Sequence, residues 1–195
     1  MRVIIVDFKL IDIPKLFQSY KDEKLFEHCI SCNKYLLQAD THYIIEKAIR
    51  NYPNLNSKDV IFEYAMCFDC VEKMREEISE ESMNNINKYF NENVISIPIF
   101  VSTQEIVPDI NKYIEKCLVT GESITTLNEY VIQAYCISDK LDLTFFPYMI
   151  SEKVMNDITN LLSNKTLDFL NGFMDKHFGY PPELNDILTR RLILI

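Results

Sequence analysis

Two Cys-x-x-Cys pairs, Cys29-Ile-Ser-Cys32 and Cys67-Phe-Asp-Cys70, stand 34 residues apart in this chain of 195 residues. No other feature restricts the fold as much. Each two-residue spacer lets one tight turn present two sulfur atoms to the same point, and two such turns complete the tetrahedral shell of a zinc ion. A shell closed in this way leaves no position for water or substrate and is structural. Binding of that kind contributes on the order of 10–16 kcal/mol to folding at neutral pH. We therefore expect Cys29, Cys32, Cys67 and Cys70 to hold one Zn2+.

Other uses of paired cysteines remain open. A redox centre needs a single pair, ordinarily within a βαβ frame, and two disulfides need an oxidising compartment. The chain opens Met-Arg-Val-Ile-Ile-Val-Asp-Phe, with an apolar run of four residues, too short for a secretory segment. No stretch approaches the roughly 20 apolar residues of a membrane span. A cytoplasmic location without membrane association is expected, where thiols stay reduced. His28 and His42 could each replace a ligand, although surface or turn positions suit them better.

The surroundings of the cysteines refine the expectation. Residues 2–8 suggest a buried strand, and Ile11 to about Phe26 a helix with Pro14 in its first turn. His42–Ile49 suggests a strand, and 51–57 a loop rich in Asn and Pro. From Cys70 a helical pattern begins, with Val71, Met74 and Ile78 on one face. Ser79 is placed to cap a second helix that carries Met83, Ile86, Tyr89 and Phe90 inward. A cysteine knuckle, a β-hairpin and a helix bearing the second pair, in this order, resemble a treble-clef zinc finger over about residues 29–90. The resemblance implies a scaffold and no particular activity.

The same design recurs 84 residues later. Phe62 and Tyr64 correspond to Phe146 and Tyr148, and Ser79 and Ser82 to Ser163 and Thr166. The inward set of the first pair of helices maps without a gap onto Met155, Ile158, Leu162, Leu167, Leu170, Phe173 and Met174. Upstream the offset grows slightly: Tyr43-Ile-Ile matches Tyr130-Val-Ile at 87, and Cys29 matches Cys117 at 88. The fold class expected is thus α+β with two tandem related domains, 1–106 and 107–195. In the second copy the ligand positions read Cys117, Thr120, Ser151 and Val154, a set that cannot hold zinc. Packing by Leu118, Leu143, Phe145, Phe146 and Met149 is expected to replace the missing cross-link, with Cys136 as core.

Charge and motif content narrow the function without naming it. The formal charge is −9, with twelve basic against seventeen acidic residues to Pro108 and eight against twelve after it. Nucleic-acid affinity depends on Lys and Arg displacing counterions, so this balance disfavours it. Three Gly are too few for a phosphate-cradling loop, and none of the three His falls in a protease or nucleophile motif. The Cys117-Leu-Val-Thr-Gly-Glu122 segment is explained as the counterpart of the first knuckle, and Glu76, Glu77, Glu80 and Glu81 as a solvated helix surface. Pro181 and Pro182 are placed to open a last helix ending in the apolar run Leu192–Ile195. No residue is singled out as catalytic. A protein-interaction module is the first reading, an enzyme with its site between the two halves the second, and nucleic-acid binding the third.

Overall fold

The computed structural model describes residues 10–55, 57–94 and 109–179. The strand expected at 2–8, the helix expected from Pro181 and the apolar run at 192–195 lie outside these. Among the described residues the protein is a mixed α/β fold: a six-stranded sheet, with every strand pairing antiparallel, and five α-helices.

The centre of the sheet is the pair β2 (His42–Tyr52) and β4 (Glu129–Ile137). Outside β2 lies β3 (Ser57–Cys67); outside β4 lie β5 (Lys140–Asp142) and β6 (Tyr148–Ser151), and β1 (Leu10–Asp12) pairs with β5. Both central strands are rich in β-branched residues and buried along nearly their whole length, as for strands covered on both faces. β2 and β3 form a long hairpin, closed by a single turn of 3-10 helix at Pro53–Leu55, so the expected loop at 51–57 is shorter than its Asn and Pro content suggests. The expected boundary at 106/107 falls outside the described residues, and strands from both sides of it share this one sheet.

One row crosses the middle of the sheet. Tyr64, Glu46, Gln133 and Tyr148 are successive cross-strand partners on β3, β2, β4 and β6. Glu46 is fully buried; Gln133 Nε2 donates to its Oε2 at 3.2 Å, and Tyr148 Oη donates to Gln133 Oε1. Buried polar groups need partners of this kind, because each one left bare costs on the order of 1–3 kcal/mol.

Helices α1 (Phe68–Glu77), α2 (Glu80–Asn93), α4 (Glu152–Thr159) and α5 (Asn164–Phe178) follow β3 and β6 in two pairs, and α3 is the short Asn111–Ile114. Val71, Met74, Met155, Ile158, Leu170, Phe173 and Met174 are buried as their spacing predicts. Ile86, Tyr89 and Phe90 on α2 are only half-buried against the core. Phe62 and Tyr64 of β3 meet Phe178 and Phe173 of α5, at 5.3 and 6.1 Å between ring centres.

Two helix starts meet head to head. Ser79 caps α2 by accepting from Ser82 N, and Ser163 caps α5 by accepting from Thr166 N. Across the junction Ser79 N donates to Thr166 Oγ1 at 3.0 Å and Ser163 N to Ser82 Oγ at 2.9 Å, while the two capping hydroxyls lie 2.9 Å apart. Each side thus satisfies an amide that the other leaves exposed.

Two expectations require correction. Ile11–Phe26 is not a helix: it holds β1, a 3-10 turn at Lys15–Phe17 and further turns, with Glu23 at φ 54°. Pro14 disfavours helical geometry at Ile13, and distant contacts hold the segment on the sheet. Phe17 is fully buried, and Lys47 Nζ of β2 reaches Gln18 O and pairs with Glu63 at 2.9 Å. Phe145 is not core packing; it is 58% exposed, lying against Tyr135 at 4.7 Å. Leu143 and Met149 are buried, and Leu118 and Phe146 half-buried, as expected.

The helix junction yields a direct test. Thr166→Val keeps shape but removes the oxygen that accepts from Ser79 N, so urea unfolding should show a loss of about 1–3 kcal/mol. An unchanged midpoint and slope would mean that the cross-helix bonds contribute nothing.

Candidate metal centre

The first cysteine pair sits in a tight turn whose backbone is closed on itself. Cys29 N donates to Lys34 O and Asn33 N to Cys29 O, each at 2.9 Å, with an isolated bridge between His28 and Tyr35. Asn33 takes φ 61°, a left-handed conformation that Asn tolerates better than most residues. Ile30 N donates to Ala65 O at 2.9 Å, which fastens this knuckle to the end of β3. The second pair lies where β3 becomes α1: Cys67 is the last residue of the strand and precedes the helix, and Cys70 is in its first turn.

The fold brings all four sulfurs together, within 4.8 Å of one another, and among the described residues this is the one such cluster of metal-ligand type. Tetrahedral bonds of 2.3 Å to sulfur place the corners of the shell about 3.8 Å apart. Cys32 Sγ and Cys67 Sγ are 3.7 Å apart, matching that edge and well beyond a disulfide bond; all four thiols are free. Cys29, Cys67 and Cys70 are 2%, 1% and 7% exposed, whereas Cys32 faces solvent. Chemistry and spacing together suit a metal ion held by four thiolates.

The thiols of the cluster sit in unequal electrostatic surroundings. Burial pushes the Cys67 thiol up to about 11 and raises Cys70 further. Burial also opposes ionisation of Cys32, but the Lys34 amide and the neighbouring thiols outweigh it and bring this thiol below its usual value. Cys67 N donates to Cys29 Sγ at 3.4 Å. Lys34 Nζ binds Asp69 at 3.0 Å, placing a cation beside the cluster. His28 and His42 are not among the clustered ligands; His28 packs on Tyr35, and His42 Nδ1 meets Tyr135 Oη at 3.1 Å. Glu76, Glu77, Glu80 and Glu81 are exposed.

A turn of the same construction recurs around Cys117. Cys117 N donates to Glu122 O and Gly121 N to Cys117 O, each at 2.9 Å; Lys116 bridges Ser123, and Gly121 takes φ 69°. Leu118 N donates to Met149 O at 2.9 Å, and Ser151 N to Cys117 Sγ at 3.3 Å. Every one of these has its counterpart in the first turn, 88 residues earlier in the knuckle and 84 earlier in the strand. Cys136 is buried beside Tyr43, its thiol raised by that burial.

Two features beside the cluster were not legible in the sequence. His42, Phe68, Tyr135 and Phe145 form a continuous aromatic run, Phe68 to Tyr135 at 4.9 Å and Tyr135 to Phe145 at 4.7 Å, ending at the exposed Phe145 ring. A cleft of about 460 Å3 lies between α1 and α5, with Cys70, Met74 and Phe173 in its wall and Lys73, Asp168 and His177 among its charged or titratable groups. Burial, with Lys176 nearby, lowers the affinity of His177 for a proton. The residues come from positions 31–77 and 168–177, so no linear motif announces them.

No protein-family model matches the chain, and neither curated proteins nor solved structures include a significant match. No helix among the described residues is long and apolar enough to cross a membrane. The chemistry of the cluster gives its own test. Cys67 and Cys70 hold their protons at neutral pH when no metal is bound, so metal must displace protons to bind. Calorimetric titration of reduced apoprotein with a thiophilic divalent ion should show proton release and an affinity that falls as pH is lowered from 8 to 6. Affinity independent of pH would count against thiolate ligation.

Proposed function

We propose that Cys29, Cys32, Cys67 and Cys70 hold one structural zinc ion in a treble-clef-like unit over about residues 29–90. In this reading the chain is two tandem related halves, 1–106 and 107–195. The second keeps the backbone of the first and has lost its metal. The protein acts in the cytoplasm as a stapled scaffold that binds another protein.

The observation that carries the structural part is the agreement of the two knuckles, bond for bond, around Cys29 and Cys117. Two unrelated turns would have no reason to share a closing pair of bonds, a left-handed residue four positions after the cysteine and an amide aimed at the cysteine sulfur. The reciprocal Ser79–Thr166 and Ser163–Ser82 bonds support the same relation between the helix pairs. Zinc is favoured over other ions because an all-thiolate, closed shell suits its chemistry.

For the binding role the support is the aromatic run from His42 to Phe145. In that run His42 and Phe145 are exposed and Phe68 and Tyr135 half-buried, and aromatic residues are enriched at interface centres. The acidic balance of the chain weighs against nucleic acid as the partner. A second reading, an enzyme acting between the halves, draws on the cleft between α1 and α5, because one wall comes from each half.

Two experiments separate these readings. The variant Thr120→Cys, Ser151→Cys, Val154→Cys supplies the three ligands that Cys117 lacks. Elemental analysis should find about two zinc ions per chain in place of one; a value still near one would sink the idea of a retained metal-site backbone. Phe145→Asp should abolish capture of the native protein partner while leaving zinc content unaltered. If capture survives, and Lys73→Ala with His177→Ala instead removes binding of a small molecule, the enzyme reading gains.

A further inference from the structure

We infer that Cys32 is the oxidation-sensitive corner of the metal centre, and that its oxidation joins it to Cys67, across the two cysteine pairs, with release of the ion. The inference rests on the four-cysteine zinc reading above, and concerns how that site is undone.

Access selects the first sulfur. Three of the four cysteines are buried, at 1–7% exposure, while Cys32 lies on the open side of the knuckle. A hydroperoxide arriving from solvent therefore meets Cys32 before the others, since oxidation follows thiolate character and exposure. Contact geometry selects the second, since Cys32 Sγ and Cys67 Sγ meet in hydrogen-bond geometry. Cys67 Sγ stands 3.7 Å from Cys32 Sγ, so a disulfide needs an approach of only about 1.7 Å. The neighbour within the pair, Cys29, is 2% exposed and already engaged by the Cys67 amide.

The chemistry closes without further reagents. The Cys32 thiolate attacks the O–O bond of hydrogen peroxide, forming the sulfenic acid and expelling hydroxide. The Cys67 sulfur then displaces a second hydroxide as the S–S bond forms, so two thiolates lose two electrons and the peroxide gains them. The ion is left with Cys29 and Cys70 alone and departs. The knuckle stays fastened to β3, because the new bond runs beside the Ile30–Ala65 hydrogen bond that already joins them. Metal is lost while the fold is kept, which distinguishes this from simple unfolding.

The test uses the reduced full-length protein. Zinc content is measured first, and peroxide is then added in steps with a chromophoric chelator present. Alkylated digests are mapped by mass spectrometry and the far-UV circular dichroism is recorded. Release of about one zinc per disulfide formed is expected, with the Cys32–Cys67 peptide as the earliest cross-link and the spectrum retained. Any other first disulfide, whether within a pair or between Cys32 and Cys70, overturns the inference, as does loss of secondary structure in step with metal release. Protein that carries no zinc before oxidation overturns the metal reading instead and removes the release step with it, so the two failures are told apart.

Discussion

The antiparallel pairing of β2 with β4 is the contact on which the rest of the molecule is assembled. It runs from His42–Ile137 to Arg50–Glu129 and is the longest link between parts of the chain so distant in sequence. It joins a strand from residues 10–94 to one from 109–179, and buried residues from both stretches form one core. Helices that follow β3 and β6 are positioned by the same sheet, and their meeting at Ser79 and Ser163 closes the other side. Hydrophobic burial drives this assembly, but the polar groups fix its register. The Glu46–Gln133–Tyr148 bonds and the four-hydroxyl junction each join groups from residues 10–94 to groups from 109–179.

The four-sulfur cluster plays a more local part. It lies where the knuckle meets the point at which β3 turns into α1, a place where the chain changes from strand to helix. In the second half the corresponding place has no such ligands. There the Cys117 turn is held by hydrogen bonds and by buried Val119, Leu143 and Met149. The two places thus differ in what gathers there: four sulfurs at the first, with Cys32 open to solvent, and hydrogen bonds with apolar packing at the second.

Much of this was legible in the linear sequence, and for identifiable reasons. Cys-x-x-Cys spacing is a local geometric constraint, so the clustering of Cys29, Cys32, Cys67 and Cys70 could be anticipated. Helix caps are equally local, and Ser79 and Ser163 occupy the positions expected. What failed was decided by distant contacts. Ile11–Phe26 has enough apolar residues for a helix, yet Pro14, the burial of Phe17 and the reach of Lys47 to Gln18 hold it as turns against the sheet. Phe145 and Phe146 are adjacent, and periodicity alone could not say which of two neighbouring rings would face inward. The shared sheet was invisible for the same reason: strand partners 87 positions apart leave no mark in either strand.

The opposed pair Glu46 and Gln133 has an outcome for self-association. A β2 strand set in the same register against β2 of another molecule would bring carboxylate against carboxylate in a buried site, with no donor between them. The amide of Gln133 supplies that donor, so the strand discriminates in favour of its own β4. Strand exchange between molecules through a β2–β2 seam is thereby penalised, and the chain is biased to close upon itself.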